Sequence, residues 1–256
     1  MSLPGRVYKT RAIVLRSHNL GEADRIYTLL TQARGKLDAV GKGVRRPKSH
    51  LAGRLEFLTE TLLTLHRGRN LDVITGTDMV HSTWSALVRP HAFGAASVIA
   101  ELTDAFCEPD LPVPDIYELV RGAVRGLARA ADPSALIPRF QLRLLYALGL
   151  APPSDACVRC AGPFVDGEAW ADVDAGGLSC AACRPHHADA FGLSARDLDG
   201  FRALAAPRAL ATKEALRPTP ATARAIDAFI TYHLGKRPKA AGVLSLLAQV
   251  PAAATP

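Results

Sequence analysis

Two pairs of cysteines constrain this chain more than any other feature. Cys157 and Cys160 enclose two residues, as do Cys180 and Cys183, and 19 residues lie between the pairs. A Cys-x-x-Cys turn aims two sulfurs at one centre, and two such turns complete a tetrahedron of thiolates around Zn²⁺. Pro163, Gly167, Gly176 and Gly177 supply the intervening turns, so residues 155–190 are expected to form a zinc-ribbon-like module too small to hold together without its metal. Four thiolates close the coordination shell, whereas a catalytic zinc keeps an open position beside three protein ligands. No His-x-Glu precedes the second pair, as a nucleobase deaminase requires. The expected cofactor is one structural Zn²⁺ per chain on Cys157, Cys160, Cys180 and Cys183, with His186 or His187 as an alternative fourth ligand. The tight pairing disfavours disulfides. So does the start Met1-Ser2-Leu3-Pro4-Gly5-Arg6, which lacks an apolar signal segment and makes a reducing, cytoplasmic setting the expectation. Cys107 follows Ala105-Phe106 and reads as a buried core thiol.

The charge is as unevenly placed as the cysteines. Of 31 Lys and Arg and 24 Asp and Glu, residues 1–80 hold 14 basic and 7 acidic, so the whole net charge of +7 lies there and the remainder is neutral. Short β-branched and apolar segments in this region, 7–17, 25–31, 36–44, 55–66 and 71–77, are separated by Gly, Asn and Asp, which predicts five strands and a small barrel. Five strands with this charge suggest an OB-fold, a barrel that often carries oligonucleotides. Phosphate backbones are met by cations and unpaired bases by aromatic rings. The candidate DNA-binding residues are Arg6, Lys9, Arg11, Arg16, Arg25, Arg34, Lys36, Lys42, Arg45, Arg46, Lys48 and Arg54, with Tyr8, Tyr27 and Phe57 as stacking platforms. The densest cluster is Lys42 to Lys48.

Beyond residue 80 the pattern becomes helical. Residues 115–131 place Ile116, Leu119, Val120, Ala123, Val124, Leu127 and Ala131 on one face, with Arg121, Arg125 and Arg129 opposite. Residues 138–150, 194–206, 220–234 and 242–250 continue the helical texture. The predicted class is therefore α+β and multidomain: an N-terminal OB-fold five-stranded β-barrel at 1–80, a helical domain in two parts at 81–154 and 191–250, a four-cysteine zinc-binding module inserted at 155–190, and a frayed tail at 251–256. There is no internal repeat and no apolar run long enough to span a bilayer.

No catalytic constellation stands out. Gly41-Lys42 is followed by Gly43, where a phosphate-binding loop needs Ser or Thr, and HExxH, GxSxG and a helix-opening GxGxxG are absent. A binding protein rather than an enzyme is expected. A zinc-ribbon transcription or translation factor is the competing reading, and a nuclease a more distant one, since the basic module has few acids to hold Mg²⁺.

Several stretches resemble the RecO family of bacterial recombination mediators: Val7-Tyr8-Lys9-Thr10-Arg11-Ala12-Ile13-Val14-Leu15, Gly21-Glu22-Ala23-Asp24-Arg25-Ile26, Gly43-Val44-Arg45-Arg46-Pro47-Lys48-Ser49 with Gly53-Arg54-Leu55-Glu56, Phe140 to Leu145, and His233 to Lys239. The resemblance implies a DNA repair protein without enzymatic activity, associated with the nucleoid. It would bind single- and double-stranded DNA, anneal complementary strands and, with RecR, help RecA replace single-strand-binding protein on gaps. Partners implied in this way are DNA, RecR, the C-terminal tail of single-strand-binding protein and, indirectly, RecA. The arginine row Arg121, Arg125 and Arg129, beside an apolar helix face, is the candidate receiver for that acidic-hydrophobic tail.

Overall fold

A computed structural model describes residues 6–186, 190–205 and 218–247. The chain divides into two compact units, residues 1–128 and 129–256.

In the first unit, β1 (Val7–Leu20), β2 (Asp24–Thr31), β3 (Gly35–Gly41), β4 (Glu60–His66) and β5 (Asp72–His81) hydrogen-bond in the order β1-β2-β3-β5-β4, and β4 returns to β1 to close the sheet as a barrel. All pairings are antiparallel except β3 with β5, which is parallel. A register shift between Val14 and Arg16 lets the long β1 pair with β4 through its first half and with β2 through its second. The interior is filled by Ala12, Val14, Tyr27, Leu29, Leu37, Ala39, Val44, Leu55, Leu63, Leu65 and Ile74. Ile13 and Leu15 are equally buried on the other face of β1, against which a helix packs. A strand buried on both sides loses its alternation. That is why Ala12-Ile13-Val14-Leu15 and Leu29-Leu30 read as unbroken apolar runs.

Three helices complete this unit: α1 (Trp84–Leu87), α2 (Pro90–Phe106) and α3 (Pro114–Arg129). Pro90 at the first turn of α2 loses no intrahelical bond. The buried face of α2 is built largely of Ala, with Val98, Ile99 and Leu102, which permits close approach to β1. On α3 the buried residues are Ile116, Tyr117, Val120, Ala123, Val124, Gly126 and Leu127, the predicted stripe except that Leu119 is half-buried and Ala131 is exposed beyond the helix end. Glu60 at the start of β4 is fully buried and joins α3 to the barrel. Its carboxylate accepts from Arg125 Nη2 at 2.7 Å, and at 3.4 Å from both Arg11 Nη1 and the Tyr117 hydroxyl. Cys107, at the end of α2, is a core residue as expected, and burial pushes its thiol up to about 11.

The second unit contains α4 (Leu136–Ala147), the ribbon strands β6 (Ala169–Asp172), β7 (Gly177–Ser179) and β8 (Gly192–Leu193), then α5 (Ala195–Ala205), α6 (Pro220–Leu234) and α7 (Lys239–Leu247). Helices α4, α5 and α6 pack on one another through Phe140, Leu144, Phe201, Leu204, Ile226 and Phe229. The Thr219 hydroxyl caps α6 by accepting the Thr222 amide, and Gly235 in the left-handed region ends it. Gly167 lies so close to α5 that a Cβ there would sit 2.6 Å from that of Ala195, which seats the ribbon's first turn against the helix. The expected end of α7 at residues 248–250 and the tail 251–256 lie outside the described residues.

Candidate nucleic-acid surface and metal centre

The metal centre is assembled by local turns. In the first knuckle the Ala161 amide donates to Cys157 O at 2.8 Å and the Cys157 amide to Gly162 O at 2.9 Å, with Ala161 held at φ 56°. The Val158 amide donates to Leu178 O at 2.8 Å and so fastens the knuckle to β7. In the second, the Cys183 amide donates to Cys180 O at 3.0 Å. The β6–β7 hairpin between them turns at Gly176, φ +74°, and is braced by a fork from Arg159 to Asp172 at 2.5 and 3.0 Å. All four sulfurs lie within 4.8 Å of one another, Cys160 and Cys180 at 3.8 Å. A tetrahedron with metal-to-sulfur bonds of about 2.3 Å has sulfur-to-sulfur edges of about 3.8 Å, so the donor set fits Zn²⁺ in both chemistry and size. Burial pushes the Cys157 thiol up, but the amides of Cys180, Cys160 and Arg159 aimed at its sulfur bring it down to about 6. That arrangement favours the thiolate at Cys157, whereas hydrogen bonding with the Cys160 thiol and burial push the Cys183 thiol up to about 12.

The predicted DNA-binding residues divide into two groups. Arg16 and Lys36 share Asp104 at 2.8 and 3.2 Å. Arg34 bridges Asp72, at 2.8 Å, and Asp110. Arg11 is paired with Glu60. The first three of these cations line a hollow of about 440 Å³ together with Asp38, Asp72, Asp104 and Asp110, a surface that neutralises itself. By contrast, Arg6, Lys9, Lys42, Arg46 and Lys48 are exposed and have no ion pair among the described residues. Arg25, Arg45 and Arg54 likewise have no ion pair among the described residues and bond neutral oxygens, among them Asn19 Oδ1 at 3.1 Å, Gly21 O at 3.1 Å and Thr77 O at 3.1 Å. The segment from Lys42 to Leu55 carries five cations and no acid, and with the start of β2 it borders a hollow of about 250 Å³ lined by Arg25, Tyr27, Arg45 and Glu56.

The aromatic expectations need correction. Tyr27 is 1% exposed and belongs to the barrel core beneath Gly41, because its position on β2 faces inward; it cannot stack on a base. Tyr8 is half-buried. Its hydroxyl donates to Asp72 and accepts from Arg34, and the guanidinium carbons of Arg34 and Arg67 lie 5.3 and 5.5 Å from its ring centroid. Burial and the Asp72 bond push its phenol up to about 12. Phe57 lines an apolar hollow with Trp84 and Phe93. The arginine row on α3 is also broken up. Arg121 is paired with Glu118, Arg125 with buried Glu60, and only Arg129 is exposed without an ion pair among the described residues. Arg67 and Arg69, both exposed in the β4–β5 turn, are further cations outside the sequence-derived candidates, Arg67 lying over the Tyr8 ring. The signal is present in Arg67-Gly68-Arg69-Asn70, which reads there only as a turn.

Comparison with known proteins finds relatives for both parts of the chain. Residues 1–83 match the family model described as recombination protein O N terminal, and residues 89–241 the model described as recombination protein O C terminal. The chain is 39% identical over 182 residues to the DNA repair protein RecO of Thermobifida fusca, covering 70% of this chain and 74% of that one. It is 39% identical over 180 residues to the DNA repair protein RecO of Bifidobacterium adolescentis, covering 69% and 73%. A closed, cation-rich five-stranded sheet, a helical second unit and a four-cysteine ribbon thus occur in a chain that belongs to the RecO family of DNA repair proteins.

Proposed function

We propose that this protein is a non-enzymatic DNA repair and recombination mediator. It binds single- and double-stranded DNA through the barrel, anneals complementary strands and, with RecR, helps RecA load onto gaps covered by single-strand-binding protein. The observation that carries the reading is the acid-free segment from Lys42 to Leu55, whose exposed cations have no ion pair among the described residues, in a chain of this family. Lys42, Arg45, Arg46, Lys48 and Arg54, with Arg6, Lys9, Arg25, Arg67 and Arg69, form the phosphate-binding surface. Arg11, Arg16, Arg34 and Lys36 chiefly hold the module together. The strand order β1-β2-β3-β5-β4 with its single parallel pair supports reading the barrel as an OB-fold.

Annealing needs two polyanions brought together, which cations achieve by displacing counterions without covalent chemistry. No nucleotide is consumed. Zn²⁺ on Cys157, Cys160, Cys180 and Cys183 serves the fold of the ribbon. An acidic tail of single-strand-binding protein docking along α3 would meet Arg121 and Arg129, because Arg125 is held by Glu60. Among the described residues no helix is long and apolar enough to cross a membrane, which suits a nucleoid protein of the cytoplasm. The test is annealing of complementary labelled oligonucleotides followed by fluorescence without nucleotide or Mg²⁺. Acceleration by the protein supports the reading, and the uncatalysed rate would remove it.

A further inference from the structure

The segment between β3 and β4 has no regular ladder to hold it, and its five cations repel one another. It is nevertheless fastened at three points to the β1–β2 turn and the first residue of β2. Asp24 Oδ1 accepts the Gly43 amide at 2.7 Å, Ala23 O accepts the Arg45 amide at 3.0 Å, and Gly21 O accepts from Arg45 Nη1 at 3.1 Å. Only the first of these acceptors is a side chain. It bonds the one residue of the segment's opening turn that sits at φ +63°, Gly43, just where the chain leaves β3 and swings toward Arg45 and Arg46.

We propose that Asp24 is a positioning residue for nucleic-acid binding: its carboxylate holds the basic segment in the arrangement that meets a phosphate backbone. The inference rests on the reading of that segment as the DNA surface, and it makes an unusual prediction of sign. Asp24 is an acid among Arg25, Lys42 and Arg45. If it acted only through its charge, any neutral replacement would strengthen binding of a polyanion, and Asp24→Ala and Asp24→Asn would do so alike. If it acts by position, the two diverge, because asparagine keeps a carbonyl oxygen for the Gly43 amide and alanine keeps none.

The experiment uses the full chain and a fluorescently labelled oligothymidylate, titrated at low salt and read by anisotropy. Asp24→Ala should bind at least about tenfold more weakly than the parent, the cost of an unmade charge-assisted bond, although it has gained a net positive charge. Asp24→Asn should match or exceed the parent. Amide hydrogen exchange across residues 43–49 should quicken in Asp24→Ala and not in Asp24→Asn. An alanine variant that binds as well as the parent, or two variants weakened equally, would overturn the assignment. Should Asp24→Ala not fold, Asp24→Glu replaces it, since charge is unchanged and the carboxylate is displaced by one methylene. Weaker binding then supports the role, and parental affinity overturns it. Changing Arg45, Arg46 and Lys48 to Glu separates the two levels of argument. If that reversal leaves affinity intact, the DNA reading of the segment falls; if it weakens binding while Asp24→Ala does not, only the role of Asp24 falls.

Discussion

Arg121 and Arg125 are one turn apart on α3 and look interchangeable in the sequence, yet their removal should have very different costs. Arg125 Nη2 donates to Glu60 at 2.7 Å, and Glu60 is fully buried; its remaining donors, Arg11 and the Tyr117 hydroxyl, are each 3.4 Å away. Arg125→Ala therefore strands a buried carboxylate with two long contacts. Breaking a buried pair from one side costs about 3–5 kcal/mol. Arg125 is itself 36% exposed and Arg11 stays in reach, so solvent screening reduces the expected loss to about 2–3 kcal/mol. For a unit of this size, at about 3–4 °C per kcal/mol, the first unit should melt roughly 6–12 °C lower. Among the described residues Arg121 forms an ion pair with Glu118 alone, three residues away on the exposed face. Its removal should cost about 0.2–0.5 kcal/mol and shift melting by no more than about 2 °C. Scanning calorimetry of both variants reads the difference. Combining Arg125→Ala with Glu60→Leu should recover part of the loss, since no unpaired charge is then buried. Equal melting temperatures for the two single variants would refute the reasoning.

Three further outcomes are expected. Protein purified without chelator should carry one zinc per chain, and Cys157→Ser with Cys160→Ser should abolish it and lower solubility or melting temperature while DNA binding of the soluble fraction persists; metal analysis decides this. Asp104→Asn should free Arg16 and Lys36 and tighten DNA binding in the same anisotropy titration, at about 1–2 kcal/mol of stability at neutral pH. Burial pushes the Asp104 carboxyl up, but bonds from Arg16 and Lys36 hold it below the usual range. Its contribution is therefore complete above the unfolded value near about pH 3.9 and is lost as pH falls through the folded one. The stability gap between parent and Asp104→Asn should accordingly close on acidification below about pH 4, a trend that melting curves across pH would show.

How much was legible in the sequence depended on how local the governing interaction is. The four cysteines converge because two short turns and one hairpin dictate it, and the stripe on α3 because helical periodicity does. Strand boundaries were less secure. β4 begins at Glu60, with Leu55 and Leu58 entering the core from the irregular segment before it, so apolar content there did not mean strand. The fate of the cations was not legible at all. Arg16 reaches Asp104, Arg34 reaches Asp72 and Asp110, and Arg125 reaches Glu60 across 88, 38, 76 and 65 positions of sequence. Composition sees the surplus of charge but not which cations are already spent. Tyr27 failed for a related reason: on a strand buried on both faces, alternation no longer says which side of the barrel a ring occupies.

The segment after β3 is proposed to supply phosphate contacts to DNA. This is tested most directly by the salt dependence of affinity for a labelled single strand, measured for the parent and for the variant with Arg45, Arg46 and Lys48 changed to Glu. Each lost phosphate contact should lower the slope of log affinity against log salt by about 0.7. Binding to every sequence should weaken in the variant, and its slope should be shallower by about 2 if all three side chains touch phosphate. Parental affinity with an unchanged slope would contradict it.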